Sequence, residues 1–202
     1  MKKEEQVKLF NQVLQKEADA ILLASKNLDN NDIVKASNLI IELKGKLLVI
    51  ALGKSGYIGQ KLSASFSSMG TPSFFIHATE LFHGDFGRIE KDDLTLMLSH
   101  SGETKEVVEA AKVLKNRGNK IISITKSKTS TLSKLSDVSL NYEIEDEADH
   151  INMAPTNSST VSLAIGDALM VLVSKLKNYS ASDFQTNHPG GSLGKKTIKW
   201  VF

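Results

Sequence analysis

The stretch KLLVIALGKSG, Lys46 to Gly56, decides the fold. Its first part is a short, unbroken apolar run that ends on a glycine. Such a run suits a strand covered on both faces, since a half-exposed strand alternates apolar with polar residues. Gly53-Lys54-Ser55-Gly56 follows at once, and a helix is predicted from about Ser55 to Met69. A buried strand that feeds a helix through a glycine turn is the opening of a βαβ unit.

The same alternation continues downstream. SFFIHA from Ser73, DLTLMLS from Asp93 to Ser99, KIISIT from Lys120 and VSLNYEI from Val138 read as further strands. Val107, Ala110, Ala111 and Leu114 mark a helix, and a long helix is predicted over about Asn157 to Leu176. Upstream, Val7, Phe10, Leu14, Ile21 and Leu22 recur at helical spacing. The stretch Asn27 to Asn31 interrupts them, and Ile33, Ala36, Ile40 and Ile41 resume the pattern. These helices are expected to bury a stripe against the domain or another subunit. The prediction is one α/β domain over residues 1–202, with a doubly wound five-stranded parallel sheet flanked by helices. A helical N-terminal extension covers about 1–44.

Composition removes several functions. Hydrophobic residues make up 41% and charged residues 24%, which is globular composition. A net charge of +2 is too small for a nucleic-acid or membrane surface. The absence of cysteine excludes disulfides, thiolate metal ligands and a cysteine nucleophile. MKKEEQVKLF is charged and amphipathic, unlike a signal peptide. No apolar run is read as approaching the ~20 residues of a membrane helix. A soluble, cytoplasmic protein is expected, without linker, repeat or second domain.

Open parallel sheets bind ligands beyond the carboxyl ends of their strands, and the loops there hold the unusual residues. Gly53-Lys54-Ser55-Gly56 lets backbone N–H groups approach an oxyanion at a helix N-terminus, and Lys54 can neutralise a phosphate or an enediolate. It is neither a P-loop nor a G-x-G-x-x-G fingerprint, which argues against a nucleotide site. Ser99-His100-Ser101-Gly102-Glu103-Thr104 reads as a phosphate cradle of hydroxyls and N–H donors. Helix capping by Ser101 or Thr104 is the plainer alternative. His83-Gly84-Asp85 is an acid–base pair or simply a turn. Glu147 follows Glu143, Glu145 and Asp146, and the pattern alone reads this as a solvated acidic loop. Pro155 to Thr160 resembles a loop entering a helix. His188-Pro189-Gly190-Gly191-Ser192-Leu193-Gly194 fixes a particular backbone path, which makes His188 an acid–base candidate.

Gly53-Lys54-Ser55-Gly56, Gly70-Thr71-Pro72, His83-Gly84-Asp85, Ser99-x-Ser101-Gly102-Glu103, Ala154-Pro155-Thr156 and His188 to Gly194 occur in that order. Together they resemble the sugar isomerase (SIS) domain of the arabinose-5-phosphate isomerase family, also called the KpsF/GutQ family. The likeness runs over roughly Lys46 to Lys195. It implies interconversion of D-ribulose 5-phosphate and D-arabinose 5-phosphate, the latter a precursor of the sugar acid Kdo. It also implies a homotetramer with active sites at subunit interfaces. Catalytic roles fall on Lys54, Glu106, Glu147 and His188, with His83 close by. Ser55, Ser99, Ser101 and Thr104 take the phosphate. The choice of Glu106 over Glu103, and of Glu147 over its acidic neighbours, comes from the resemblance alone. A cis-enediol(ate) route requires neither metal nor redox cofactor. Three departures stand out. Many relatives continue into a pair of CBS domains, and this chain stops before them, so regulation through them is expected to be absent. Asp149-His150 replaces a usual Cys-Pro pair, and Ala51 replaces the first glycine of Gly-x-Gly-Lys. The competing readings are another phosphosugar isomerase, such as a 6-phospho-3-hexulose isomerase, and a non-catalytic sugar-phosphate sensor.

Overall fold

In a computed structural model, residues 1–190 are described. Helices α1 (Lys3–Asn27) and α2 (Asn30–Ile41) lead into β1 (Leu47–Ala51) and α3 (Gly53–Ser68). Then follow β2 (Ser73–His77), β3 (Leu94–Leu98), α4 (Lys105–Asn116), β4 (Lys120–Thr125) and α5 (Thr131–Leu135). The remainder is β5 (Val138–Asn141), α6 (Asn157–Leu176) and α7 (Ala181–Asn187). Each expected strand forms, and all pair in parallel.

The strand order is β2-β1-β3-β4-β5. Connections leave the β1–β3 pair in opposite directions, so the topological switch point lies between the carboxyl ends of β1 and β3. The loops that carry Lys54 and Ser101 emerge at these two ends.

Every residue of β1 and β3 is buried, and the alternation of side chains explains why. Leu47, Val49 and Ala51 join one core with Ile40 of α2, Leu62 and Phe66 of α3, and Val161 and Leu169 of α6. Leu48 and Ile50 point the other way, into a core with Val107, Ala111 and Leu114 of α4 and Leu132 of α5. Two covered faces leave no polar position in β1, and the one in β3, Thr95, is buried with its hydroxyl donating to the Lys120 carbonyl at 3.1 Å.

Some sequence expectations change. β5 stops at Asn141 because its partner β4 ends at Thr125, the residue paired with Asn141. α6 meets the length and apolarity of a membrane span, contrary to the expectation that no run approaches it. Much of its apolar face, including Val161, Leu169 and Val173, is buried in the core, while Val171 and Leu176 are exposed. On α1 only Ala20 and Ala24 are buried, while Ile21 packs at the edge of the core. Val7, Phe10, Leu14 and Leu22 of the expected stripe are exposed in the single chain. The short helices α5 and α7 carry too few turns to show a period.

Candidate functional site

The turn after β1 is set by Gly53, whose φ of 59° lies in the left-handed region that glycine adopts without strain. α3 begins there, two residues before the predicted start, and its cap residue Leu52 makes no side-chain cap bond. Among the described residues, the first N–H groups of α3 therefore have no side-chain acceptor at the positive end of the helix dipole. Lys54 and Ser55 stand on this turn. Lys54 is exposed and has no ion-pair partner among the described residues.

After β3, the hydroxyls of the Ser99–Thr104 loop are held by one another and by the backbone. Ser99 Oγ lies 2.9 Å from Thr104 Oγ1 and accepts from Gly102 N at 3.1 Å. Ser101 Oγ accepts from Glu103 N at 3.1 Å and is itself exposed. Gly102 is required: its φ is 69°, and a Cβ there would meet Ser130 Oγ at 2.3 Å. Thr104 is the N-cap of α4 by position, yet its side chain makes no cap bond. Neither Ser101 nor Thr104 is spent on capping, so the plainer reading of this loop does not describe it.

The two glutamates of this segment separate cleanly. Glu103 Oε1 accepts from Thr131 N at 2.8 Å, which ties the loop to α5 and holds its carboxyl below the ordinary value. Glu106, in the first turn of α4, is half-buried and makes no hydrogen bond or ion pair among the described residues.

Glu147 is not a solvated member of an acidic run. Its Oε2 accepts from Thr156 N at 2.8 Å, Thr156 Oγ1 at 3.0 Å and Ser158 N at 3.2 Å, at the entry to α6. Burial pushes its pKa up, but the bonds from Ser158 and Thr156 outweigh it and hold the carboxyl below its ordinary value. Glu147 is thus an ionised carboxylate at a helix N-terminus. Its Oε1 makes no hydrogen bond among the described residues. Asp149, at the first of the departing positions, accepts from Ile151 N, Met153 N and Ala154 N and shapes the loop.

An open cleft of about 340 Å³ brings Glu147 together with Ser55, Ser158, His100 and Lys126. Of the expected residues, Ser55 and Glu147 line it. Lys54 adjoins Ser55, and Ser99 and Ser101 flank His100. The two histidines lie elsewhere. His83 is exposed at the end of the turn Glu80–His83, and Asp85 pairs with Arg88 at 2.9 Å rather than with His83. His188 closes α7, stacks on Phe184 at 3.9 Å and donates from Nδ1–H to the Phe184 carbonyl at 2.8 Å. Its Nε2 lies 3.1 Å from Ser68 Oγ, at the far end of α3 from Ser55. Gly191 to Gly194 lie outside the described residues.

Sequence reasoning missed Lys126, which directly follows β4. The carboxyl-end rule that selected Lys54 also selects this position. The sequence places His100 within the serine loop and leaves open whether it touches substrate or shapes the loop.

Comparison with known proteins gives a consistent result. The SIS domain model matches residues 39–172. Arabinose 5-phosphate isomerase KpsF of Escherichia coli is 43% identical over 94% of this chain and 60% of its own length. Arabinose 5-phosphate isomerase KdsD of Pseudomonas aeruginosa is 44% identical over 83% of this chain and 52% of its own length. The chain thus spans little more than half the length of these curated relatives. A protein of E. coli CFT073 solved in complex with arabinose 5-phosphate superposes with a TM-score of 0.89, at 38% identity, over 94% of this chain and 100% of that one.

Proposed function

The chain belongs to the SIS domain family, and from that premise we propose that it interconverts D-ribulose 5-phosphate and D-arabinose 5-phosphate through a cis-enediol(ate). The observation that carries the reading is the cleft itself. It joins the N-terminus of α3 and the hydroxyl loop after β3, which suit a phosphate, to an ionised Glu147 whose Oε1 makes no hydrogen bond among the described residues. The arabinose 5-phosphate bound by the E. coli CFT073 protein and the names of KpsF and KdsD support the choice of sugar.

In this reading Ser55, Ser99, Ser101 and Thr104 hold the phosphate, and the reacting carbons then lie at a fixed distance from it. Positioning of this kind supplies up to about 7–11 kcal/mol of a barrier in favourable systems. Lys54 stabilises the negative charge that develops on the enediolate oxygens. Glu147 or Glu106 works with His188 to move the proton between C1 and C2, a role worth about 10²–10⁴-fold. Since His188 sits at the far end of α3 from Ser55 in its own chain, it serves the cleft of a neighbouring copy. A cytoplasmic homotetramer with active sites at subunit interfaces meets that need, and the exposed Val7, Phe10 and Leu14 of α1 offer a face for assembly. The arabinose 5-phosphate formed would feed Kdo synthesis.

A panel of sugar phosphates tests the reading. Turnover of the two pentose phosphates, and not of 6-phospho-3-hexulose, supports it. Turnover of the hexulose alone points to the other isomerase, and binding without any turnover to a sensor.

A further inference from the structure

Tyr142 is fully buried, and a buried phenol hydroxyl needs a partner. Three groups surround its oxygen: His100 Nδ1 at 2.8 Å, Ser162 Oγ at 3.2 Å and Ser158 O at 3.5 Å. The Ser162 hydroxyl has a shorter bond, 2.8 Å, to the Ser158 carbonyl, as helical serines commonly do one turn back. At 3.5 Å from the phenol, that carbonyl is a weaker acceptor than a group at 2.8 Å. The good acceptor for the Tyr142 proton is therefore His100 Nδ1. The opposite arrangement, with Nδ1–H donating to the phenol oxygen, would give up this 2.8 Å acceptor and leave the phenol proton to the longer contacts with Ser162 Oγ at 3.2 Å and the Ser158 carbonyl at 3.5 Å.

A neutral imidazole that accepts at Nδ1 carries its proton on Nε2. The ring lines the cleft beside Ser55, Lys126 and Glu147, and Nε2 makes no hydrogen bond among the described residues. Burial first, and the Lys126 charge second, hold the His100 pKa below its ordinary value, while Glu147 opposes them. Burial also pushes the Tyr142 phenol up to about 12, so it keeps its proton.

We propose that His100 is a further catalytic residue of this cleft, a neutral imidazole fixed by Tyr142 that donates from Nε2–H to the substrate oxygen that changes from carbonyl to enediolate. The proposal rests on the isomerase reading above. No proton is transferred in this role. A neutral donor follows the oxygen as charge builds on it, the pattern by which a neutral histidine polarises a carbonyl in other enediolate chemistry. An imidazolium at the same place would pair with Glu147 and withdraw that carboxylate. Tyr142 is a positioning residue, since it acts through the ring.

The test uses the whole chain with ¹⁵N-labelled histidine. At pH 7 the two-bond ¹H–¹⁵N spectrum is expected to show His100, assigned by its loss in His100→Asn, as the Nε2–H tautomer. Tyr142→Phe is expected to release it into a mixture of tautomers. An Nδ1–H ring or an imidazolium at pH 7 overturns the proposal whatever the protein turns over. In kinetics, His100→Leu is expected to lower kcat about 10²-fold, as for the loss of one preorganised donor, with KM little changed. His100→Asn keeps an N–H donor and is expected to recover most of this. Wild-type turnover that survives His100→Leu overturns the role of His100 and leaves the isomerase reading intact. A wild type without turnover on any sugar phosphate overturns the isomerase reading, and the catalytic role with it.

Discussion

Nε2 of His188 lies 3.1 Å from Oγ of Ser68, in the last turn of α3, whereas Ser55 stands in the first turn of the same helix. At 1.5 Å of rise per residue the two serines are separated by roughly 20 Å. A histidine placed there cannot reach a sugar held at Ser55 of its own chain. Mixing inactive Glu147→Gln and His188→Ala proteins under conditions that exchange subunits is therefore expected to restore isomerase activity. The hybrid cleft takes its Glu147 from one chain and its His188 from another. Native mass spectrometry that shows hybrids without activity would contradict this arrangement.

Glu147 carries a structural duty beside its proposed chemistry, because its Oε2 closes the open N–H groups of Thr156 and Ser158. Glu147→Ala is expected to lower stability by about 1–3 kcal/mol in urea unfolding, the scale of a lost cap and its stranded donors. Glu147→Gln keeps an acceptor oxygen and is expected to cost less. Both are expected to reduce kcat by at least about 10²-fold. An unfolding curve unchanged in Glu147→Ala would show that the cap is not formed.

The phosphate cradle separates binding from chemistry. Ser101 is exposed and its hydroxyl is held at the loop by Glu103 N. Ser101→Ala is expected to raise KM by roughly 10-fold or more, since a hydrogen bond to a charged group contributes about 1.5–3 kcal/mol, while kcat stays close to wild type. Ser99→Ala is expected to do the same and also to loosen the loop, as Gly102 N keeps only the Ser99 carbonyl as acceptor and Thr104 Oγ1 loses its partner. A KM unchanged in Ser101→Ala argues against the cradle.

Stability should fall below the ordinary histidine pKa. The folded-state pKa of His100 is below its ordinary 6.5. As pH falls through 6.5 the unfolded chain takes up a proton that the folded ring refuses, so the unfolded state binds more protons and stability decreases. Urea midpoints measured from about pH 7.5 down to about 5.5, a window that brackets the ordinary histidine value, are expected to decline, and His100→Asn to flatten the decline. Equal slopes in the two proteins would contradict the buried neutral ring. Glu147 acts in a lower window: its depressed pKa adds stability above the ordinary 4.5 that is lost as pH falls through the folded value.

The sheet was legible because strands covered on both faces leave nearly continuous apolar runs, unbroken in Leu47 to Ala51 and interrupted only by Thr95 in Leu94 to Leu98. The end of β5 was not, since it depends on where β4 stops. Lys54, Ser55 and the Ser99–Thr104 loop were legible because glycines and hydroxyls at carboxyl ends are rare without a reason. Glu147 could not be told from Glu143, Glu145 and Asp146 by pattern. What sets it apart is the N–H groups of Thr156 and Ser158, brought to it by the fold. His100 and Tyr142 stand 42 positions apart, and neither carries a local signal of the other. Their contact arises because β3 and β5 flank β4.

The most direct measurement is to incubate the purified chain with D-arabinose 5-phosphate and assay D-ribulose 5-phosphate, for the wild type and for His188→Ala. The account predicts conversion by the wild type and its loss in the variant. A wild type that binds the sugar phosphate yet never converts it would contradict the central claim.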